Sequence, residues 1–371
     1  MPIQPFKLER YFARYEFSVK YLLSSSDCEG LLLSELLQMA SPESLELWQN
    51  LKLSYTESAG HPLLRTEISH GYTQFKPENV LIAVPEEAIF IAMQTLLRAG
   101  DHVVAIAPAY QSLHELAISI GCSLTLWELE PASQGWSLDL DKLESSLTEQ
   151  TRLLVLNFPN NPTGFIPTRQ QFDNILALAQ KHDLYVFSDE MYRLLESDPA
   201  SRLPSVSDVY EKGIALSGLS KSYALPGLRI GWLTTRQDDL IEDWLGFKDY
   251  TTICNSAPSE ILAIIALQNT AQIVARNLEI IRRNISLAEQ FFSKYSRLVE
   301  WHSPQAGSIG FPKWLGAGTV DDFCQKALAQ QGLMIVPGSI FNYPGSHFRI
   351  GLGRKNFGEA LEHLDEYLGA L

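Results

Sequence analysis

The fold of this chain is decided by residues 218–231, which read GLSKSYALPGLRIG. The stretch places one lysine, Lys221, among glycines and small hydroxylated residues, and Arg229 follows eight positions later. In a partly desolvated, cation-lined pocket a lysine favours its neutral amine, the form that attacks a carbonyl to give a Schiff base. Taken alone, the stretch is also compatible with an ordinary surface lysine.

Short apolar runs alternate with amphipathic stretches around this segment, between about residues 78 and 235. This alternation is typical of an α/β layer with a mostly parallel sheet. Ligands bind such sheets beyond the carboxyl ends of the strands, so the chemistry is expected just after the apolar runs. The predicted strands are 80–84, 102–107, 123–128, 153–157, 184–188, 213–216 and 229–234, and helical patterns cover 86–99, 111–120 and 169–182.

The last hundred residues have a different pattern. One long helical stretch over about 259–295 precedes short strand candidates at 307–313, 333–336 and 347–352 and a terminal helix. This pattern predicts a smaller α+β unit, and the first 40 or so residues, which lack a sheet of their own, are expected to pack onto it. We therefore expect a large domain over residues 45–265 and a small domain formed by 1–44 and 266–371.

Composition and charge exclude several classes of protein. With 29 Lys+Arg against 43 Asp+Glu, the net charge is −14, which argues against nucleic acid or an anionic membrane as the main partner. No apolar run reaches the roughly 18 residues of a membrane-spanning helix, and the N-terminus lacks the apolar core of a secretory signal, so a cytoplasmic protein is expected. The scattered cysteines favour reduced thiols and predict no metal site: Cys28, Cys122, Cys254 and Cys324.

Two further polar clusters follow predicted strands. Residues 157–164 (NFPNNPTG) alone would be a βα loop, and the acid in residues 188–192 (SDEMY) alone would be a helix cap. Together with the lysine stretch and the late 348–353 (FRIGLG), they stand in the order found in the class I/II aminotransferases. The whole chain resembles this superfamily of fold type I enzymes, which depend on pyridoxal 5′-phosphate (PLP). The resemblance implies an α/β fold with a large, mostly parallel sheet flanked by helices and a smaller α+β domain.

The resemblance also implies roles around the cofactor ring. Lys221 would form the Schiff base with PLP and later move the substrate proton, because a released amine lies beside the acidified α-carbon. Asp189 would keep the pyridine nitrogen protonated, since a pyridinium is the better electron sink. Asn161 and Tyr192 match the family residues that bind the phenolic oxygen of PLP, and Tyr110 matches the ring stacked on the cofactor face.

Phosphate binding follows the family only in part. Arg229 matches the phosphate arginine, whose planar fork suits a dianion, and Ser220 is assigned to the same cofactor site. Tyr55 resembles the tyrosine that reaches the phosphate of a neighbouring subunit, which implies a homodimer.

The sequence departs from the family at two phosphate positions. Glu86 and Glu87 replace a glycine-containing turn, although their backbone N–H groups could still face the phosphate from a helix N-terminus. Gly218 stands where many relatives have a phosphate-binding serine. We therefore expect weaker cofactor retention than in a typical relative, measurable as loss of cofactor absorbance on dialysis.

Substrate recognition is only partly encoded in motifs. Arg349 matches the arginine that binds the substrate α-carboxylate, and Asn161 is expected to contact the substrate as well. Candidates for the side-chain pocket are residues 15–17, 24–29 and 248–255. Acidic Asp27 and Glu29 would favour a cationic or hydroxylated substrate, whereas the alternative is that Ser26 or Asp27 caps a helix over 31–37.

These residues favour an aminotransferase that takes an α-amino acid with a 2-oxo acid acceptor. The alternative is a PLP-dependent lyase or cyclase, because elimination, replacement and cyclisation share the same early chemistry. The N-terminal run and the PEEAIF helix look like capreomycidine-synthase-type members, which cyclise a hydroxylated arginine. A non-catalytic module is not expected, since Lys221 and Asp189 are both present and 371 residues leave no room for an added DNA-binding domain.

Overall fold

A computed structural model describes residues 3–370 of the chain. The strands are β1 Tyr21–Leu22, β2 Val80–Ala83, β3 His102–Ala107, β4 Ser123–Glu128, β5 Glu130–Ala132, β6 Gly135–Ser137, β7 Thr151–Asn157, β8 Tyr185–Asp189, β9 Gly213–Gly218, β10 Gly231–Thr235, β11 Val299–Glu300, β12 Ile309–Gly310, β13 Lys313–Trp314, β14 Leu333–Met334, β15 Val336–Pro337 and β16 Phe348–Gly351. The helices are α1 Lys7–Tyr15, α2 Leu33–Gln38, α3 Pro42–Gln49, α4 Pro62–Ser69, α5 Pro85–Leu96, α6 Ser112–Ile120, α7 Leu140–Ser146, α8 Arg169–Lys181, α9 Val206–Val209, α10 Asp238–Lys248, α11 Ala257–Gln268, α12 Thr270–Lys294, α13 Val320–Gln331 and α14 Phe357–Gly369.

A seven-stranded sheet in the order β2-β10-β9-β8-β7-β3-β4 organises the large unit. Neighbouring strands are parallel except β10, which runs antiparallel to both β2 and β9. Strand β3 is buried along its whole length, as expected when helices cover both faces of a parallel sheet. The predicted α/β architecture with a large, mostly parallel sheet is confirmed.

The site is placed by the carboxyl ends of the central strands. Strands β7 and β8 pair in parallel, with Asn157 opposite Asp189, and β8 pairs in parallel with β9. Their following loops therefore open at the same edge of the sheet. These loops carry the NFPNNPTG, SDEMY and lysine stretches of the sequence.

The C-terminal part forms small sheets, in which β12, β16 and β15 pair in that order and β11 pairs with β13. The first 40 residues also contribute a strand, because β1 pairs in parallel with β14. A core of apolar residues from β1, α12, α13, β16 and α14 holds this unit together. Helix α2, in contrast, packs Leu36 with residues of α4 and α11. The domain boundaries given above remain a prediction.

The prediction of one long helix over 259–295 is wrong. Helices α11 and α12 meet at Asn269 with a bend of 80°. The Asn269 side chain donates to the carbonyl oxygens of Ile265 and Met39, and a polar side chain that bonds to the backbone in this way competes with helix continuation. Within residues 3–370 no single helix is long and apolar enough to cross a bilayer; only the bent pair α11 and α12, taken together, passes by length and composition.

Candidate active site

A cavity of about 380 Å³ lies between the carboxyl ends of the sheet strands and the small unit. Most of the predicted site residues line it: Asp27, Glu86, Tyr110, Asn161, Asp189, Tyr192, Ser220, Lys221, Arg229 and Arg349. A cavity of this size, with basic, acidic and aromatic groups converging on it, is typical of a small-molecule site.

Lys221 lies in the tight loop after β9. The loop is closed by backbone hydrogen bonds from the Leu219 N–H to the Ile230 carbonyl and from the Leu225 N–H to the Leu219 carbonyl, both 3.0 Å long. The Lys221 Nζ donates to the Ser26 Oγ at 2.8 Å. Burial lowers the pKa of the Lys221 amine, and the nearby Asp27 carboxylate only partly opposes this effect. The geometry thus favours the neutral, nucleophilic amine.

Asp189 ends strand β8 and is 6 % exposed. Its Oδ1 accepts a hydrogen bond of 3.0 Å from the Met191 N–H. Burial raises the pKa of Asp189 to about 6, while that hydrogen bond and the Lys221 charge lower it. Among residues 3–370 no cation forms an ion pair with this carboxylate, so a buried positive group brought by a ligand would be stabilised here.

Asn161 and Tyr192 approach the cavity from neighbouring loops. The Asn161 Oδ1 accepts from Arg349 Nη1 at 3.2 Å, which turns the amide nitrogen toward other partners. The Tyr192 hydroxyl is buried and donates to the Ser26 carbonyl at 3.3 Å. Burial raises the pKa of Tyr192, and the Arg349 charge opposes the rise. The Asn161 amide therefore offers a free donor, whereas the single Tyr192 hydroxyl proton must leave the Ser26 carbonyl before it can be donated to a ligand.

Tyr110 follows β3 and lines the cavity from the side. Its hydroxyl donates to the Glu9 Oε1 at 2.6 Å, and its ring lies 4.7 Å from that of Phe6. Burial, together with the charges of Glu86 and Glu9, raises the pKa of Tyr110. The ring is therefore held in place by contacts on the side of the N-terminal segment.

A second group of predicted residues marks an anion site at the start of α5. The first hydrogen bond of this helix runs from the Ala88 N–H to the Val84 carbonyl, so the N–H groups of Glu86 and Glu87 have no partner within the helix. Such N-termini bind phosphate, and Arg229 lines the same cavity. Arg229 has a φ of 55°, in the left-handed region, which an arginine adopts only at a cost.

The two glutamates at this helix end point in different directions. Glu86 lines the cavity and accepts from the Ser112 hydroxyl at 3.3 Å; burial raises its pKa to about 7. Glu87 does not line the cavity, because its Oε1 accepts from the hydroxyls of Thr251 and Thr252 at 2.5 and 2.7 Å. Only its backbone N–H remains available to an anion.

Two more predicted residues lie outside the cavity lining. Tyr55 is 86 % exposed, so its ring is free for contact with another molecule. At Gly218 a Cβ would lie 3.0 Å from the Gly231 Cα and 3.1 Å from the Ile230 carbonyl oxygen. The glycine is thus explained by the close approach of β10, and a serine there would need the neighbouring strand to shift.

Arg349 is 1 % exposed and stands in β16. Its Nη2 donates to the Ser24 carbonyl at 3.0 Å, and its guanidinium lies 5.6 Å and 5.3 Å from the ring centroids of Phe12 and Phe341. Burial lowers the pKa of Arg349, yet its Nε has no hydrogen-bond partner within residues 3–370. A guanidinium held in place at a cavity, with one donor not yet paired, is suited to a carboxylate.

Residues 24–29 cross the small unit as an irregular segment rather than starting a helix. The Leu23 carbonyl accepts from the Gly351 N–H at 2.6 Å, and a Cβ at Gly351 would lie 1.9 Å from the Ser25 carbonyl oxygen, so this crossing requires glycine. The alternative of a cap at Ser26 or Asp27 is wrong, because α2 begins at Leu33 and the Leu32 N–H bonds to Glu35.

The acids of this segment differ in their surroundings. Asp27 lines the cavity but is paired with Arg354 at 2.9 Å and accepts from the Ser25 hydroxyl at 2.6 Å. Glu29 lies outside the lining and accepts from the Lys355 N–H at 3.1 Å. Of the other candidate pocket segments, 15–17 contributes Glu16 to the lining and 248–255 contributes nothing.

Helix α1 supplies the part of the site that sequence reasoning missed. Leu8, Glu9, Phe12 and Glu16 line the cavity, and only Glu16 falls within a candidate segment. The helix bridges both units, since the Lys7 N–H donates to Gln111 of the large unit at 2.9 Å and the Tyr11 hydroxyl to Ile335 of the small unit at 2.9 Å. The sequence did contain a signal for this helix: Leu8 and Phe12 are four residues apart and Glu9 and Glu16 seven apart, a spacing that places each pair on one face of a helix. We call residues 7–16, which are α1 and its C-terminal cap, together with residues 24–29 the N-terminal wall.

These side chains fit PLP on structural grounds. A buried amine, a buried carboxylate without a cation, a helix N-terminus beside an arginine and a partly unpartnered guanidinium converge on one cavity. They suit, in turn, an aldehyde, a pyridinium, a phosphate and a substrate carboxylate. The described residues contain no cluster of three or more His, Cys, Asp or Glu that could hold a metal ion.

Comparison with known proteins agrees with this chemistry. The chain is 29 % identical to capreomycidine synthase of Streptomyces vinaceus over 99 % of its length and 93 % of that protein. A PLP-dependent aminotransferase of Streptococcus suis superposes with a TM-score of 0.93 at 30 % identity, covering 100 % of this chain and 99 % of the other. The PLP-dependent cyclase OrfR superposes with a TM-score of 0.90 at 23 % identity, covering 100 % and 98 %.

The family profile covers nearly the whole chain. The profile described as aminotransferase class I and II matches residues 19–364. The fold, the order of the motifs and this match lead to one family, whose members depend on PLP. The chain belongs to the class I and II aminotransferases and uses PLP as its cofactor.

Proposed function

We propose that this protein is an aminotransferase that moves the amino group of an α-amino acid to a 2-oxo acid, with Lys221 as its catalytic residue. The observation that carries the proposal is the position of the Lys221 amine, which is buried, has a lowered pKa and shares one cavity with Asp189 and Arg349. When bound, PLP supplies an electron sink that makes the α-proton of an attached amino acid acidic.

In the proposal, each cavity residue has one task. Arg349 binds the α-carboxylate and fixes the orientation of the amino acid. Lys221 would hold the cofactor through its aldehyde, and its amine, when free, would be the base that accepts the substrate α-proton. Asp189 keeps the pyridine nitrogen protonated, a state favoured by a carboxylate so deeply buried that only a cation offsets its desolvation.

The remaining side chains hold the cofactor in position. Asn161 and Tyr192 donate to its phenolic oxygen, and the Tyr110 ring supports one face. Arg229, Ser220 and the N–H groups of Glu86 and Glu87 bind the phosphate, for which the helix dipole of α5 is favourable. Gly218 leaves room for β10 at the cost of one hydroxyl donor.

A second candidate function is a PLP-dependent lyase or cyclase. It is supported by the 29 % identity to capreomycidine synthase over nearly the whole chain. The tasks of Lys221, Asp189 and Arg349 would be the same, and the outcomes would differ only in what happens after the α-proton is removed.

The two candidates are separated by a half-reaction. Holoenzyme mixed with single amino acids, without a 2-oxo acid, is followed by absorbance and by mass spectrometry of the small molecules. An aminotransferase converts the cofactor into its aminated form, releases a 2-oxo acid, and is returned to the aldehyde form by an added 2-oxo acid. Release of ammonia or of a cyclised amino acid, with no aminated cofactor, would reject transamination in favour of the second candidate.

We also propose that the active unit is a cytoplasmic homodimer in which Tyr55 reaches the phosphate in the neighbouring subunit. The support is the 86 % exposure of Tyr55 in the single chain. Mixing Tyr55→Ala with Lys221→Ala chains tests it, because a hybrid dimer regains one site with both residues. Recovered activity is expected after the two are unfolded and refolded together, and no recovery would reject the shared site.

A further inference from the structure

The cavity contains more acidic groups than the chemistry proposed above needs. Five carboxylates line it, namely Glu9, Glu16, Asp27, Glu86 and Asp189, against three cations, Lys221, Arg229 and Arg349. This excess is unexpected at a site for a phosphate-bearing cofactor, since each unpaired carboxylate repels the phosphate. The excess acids therefore call for a reason of their own.

Assigning partners leaves three carboxylates without an ion pair, of which Glu86 is set apart by its raised pKa. Asp27 is paired with Arg354, and Asp189 faces the position proposed for the pyridinium. Glu86 accepts from Ser112 and has a pKa of about 7, so it is partly neutral. Glu9 accepts only from the Tyr110 hydroxyl, and within residues 3–370 neither Glu9 nor Glu16 forms an ion pair.

Both of these carboxylates come from one side of the cavity. Glu9 and Glu16 are seven residues apart, two turns along α1 and its C-terminal cap, so they share one face of the helix. Glu9 is exposed at the mouth, whereas Glu16 is half-buried. Burial and the charges of Asp27 and Glu9 raise the pKa of Glu16, and the charges of Arg354 and Lys221 only partly oppose the rise. A cation bound between them would remove this repulsion.

An independent group identifies the other end of the ligand. The Arg349 guanidinium is 1 % exposed, lines the same cavity and has an Nε without a partner within residues 3–370. Its planar fork suits a carboxylate. The cavity thus presents a buried cation for one end of a ligand and two free carboxylates for the other, which is the charge pattern of an amino acid with a basic side chain.

We propose that Glu16, assisted by Glu9, binds a cationic group on the substrate side chain, so that the amino acid taken by this site carries a guanidinium or an ammonium. The proposal rests on the proposed function, because it assumes that Arg349 holds the α-carboxylate. Hydrogen bonds between charged groups are about twice as strong as neutral ones, and they are stronger still in a cavity shielded from water.

The test compares two amino acids of nearly the same shape. The holoenzyme is titrated with L-arginine and with L-citrulline, whose neutral ureido group replaces the guanidinium, and the shift in cofactor absorbance gives an apparent Kd for each. We expect L-arginine to bind at least about tenfold more tightly. Equal affinities would overturn the proposal without the use of any variant.

Variants then assign the effect to the N-terminal wall. Glu16→Gln is expected to remove most of the preference for arginine while changing the Kd of citrulline by less than about twofold, and Glu9→Gln to have a smaller effect of the same kind. Glu46→Gln, at an exposed position on α3 outside the cavity, is the matched control. A Glu16→Gln variant that weakens both amino acids equally would overturn the assignment.

The outcome also separates this inference from the proposed function. If the holoenzyme responds to neutral amino acids as well as to basic ones, the substrate class is wrong and the function stands. If no amino acid changes the absorbance of the bound cofactor, the proposed function itself is overturned, and the inference with it.

Discussion

On the cofactor side of the cavity, Asp189 ends β8, and Lys221 and Asn161 lie in the loops that follow β9 and β7 of the same sheet. On the opposite side, the N-terminal wall brings Glu9 and Glu16 from α1 and its cap, and Ser26 from an irregular segment. These parts are held by contacts with residues more than 100 positions away. The first side is fixed by local turns and strand order, and the second by tertiary contacts alone. We infer that the first encodes the shared chemistry of the family and the second the choice of substrate.

This difference in construction leads to a ranking of effects. Changes on the cofactor side should abolish or strongly reduce reaction with every amino acid, because they remove groups that the reaction needs. Changes in the N-terminal wall should alter rates moderately and differently for different substrates. The predictions for Lys221, Asp189, the Glu86 and Glu87 pair, and Ser26 follow in order of decreasing effect.

Lys221→Ala should have the largest effect, lowering amino-group transfer by more than about a thousandfold, because both the covalent attachment and the proton acceptor are lost. The visible absorbance of the lysine-bound cofactor should disappear while the protein remains folded by circular dichroism. Lys181→Ala, at an exposed position at the end of α8, is the control and should retain both. Retained absorbance in Lys221→Ala would contradict the assignment.

Asp189→Asn should preserve the fold and lower the transfer rate by roughly a hundred- to a thousandfold, since an amide can still accept from the Met191 N–H but cannot stabilise a pyridinium. Single-turnover absorbance measures the chemical step. The cofactor should remain attached to Lys221 in this variant. A rate within threefold of the wild type would remove Asp189 from the chemistry.

Glu86→Gln and Glu87→Gln should change the stability of the cofactor-free protein in opposite directions. Burial raises the pKa of Glu86 to about 7, so the folded protein holds this proton more tightly than the unfolded chain does. The resulting contribution to the free energy of unfolding is complete below about pH 4.5 and is lost as the pH rises toward 7. Burial alone would raise the pKa of Glu87, but hydrogen bonds from Thr251 and Thr252 and the Lys248 charge lower it below the ordinary carboxyl value. Ionised Glu87 therefore stabilises the folded protein above the ordinary carboxyl pKa, and this stabilisation is lost in acid.

Thermal unfolding of the two variants at pH 8 and at pH 5 measures this contrast. Relative to the wild type, we expect Glu86→Gln to raise Tm by roughly 2–5 °C at pH 8 and to have little effect at pH 5. Glu87→Gln should lower Tm at pH 8, and its effect should shrink as the pH falls. Shifts of the same sign in both variants would show that the two carboxylates do not differ as described.

Ser26→Ala should have the smallest effect and lower the transfer rate by roughly two- to tenfold. Only the hydrogen bond from Lys221 to the Ser26 Oγ is lost, because the backbone carbonyl that accepts from Tyr192 remains. As a positioning residue, Ser26 should also influence the pH dependence of the rate, and Ser26→Thr should restore it. An unchanged pH profile in Ser26→Ala would restrict Ser26 to a structural role.

The sequence was informative where function and local structure coincide. The turn at 157–164 and the lysine loop bring their residues to the strand ends by short-range geometry, so their motifs predicted polar lining residues such as Asn161, Lys221 and Arg229. The apolar lining residues Met191 and Leu216 were not predicted. The seven strands of the large sheet were also predicted from their apolar runs, with ends that differ by a few residues.

Prediction failed where distant segments determine the structure. The bend at Asn269 depends in part on a hydrogen bond to Met39, 230 positions away, and the irregular path of residues 24–29 depends on the close approach of Gly351. Glu9 becomes a site residue only because α1 bridges the large and small units. Neither local propensity nor spacing contains that information.

The central claim, that Lys221 carries the cofactor, is tested most directly by reducing the holoenzyme with borohydride and mapping the modified peptide by mass spectrometry. We expect one pyridoxyl-phosphate adduct per chain, on Lys221. An adduct on another lysine, such as the fully buried Lys248, or a reduced chain without any adduct, would contradict it.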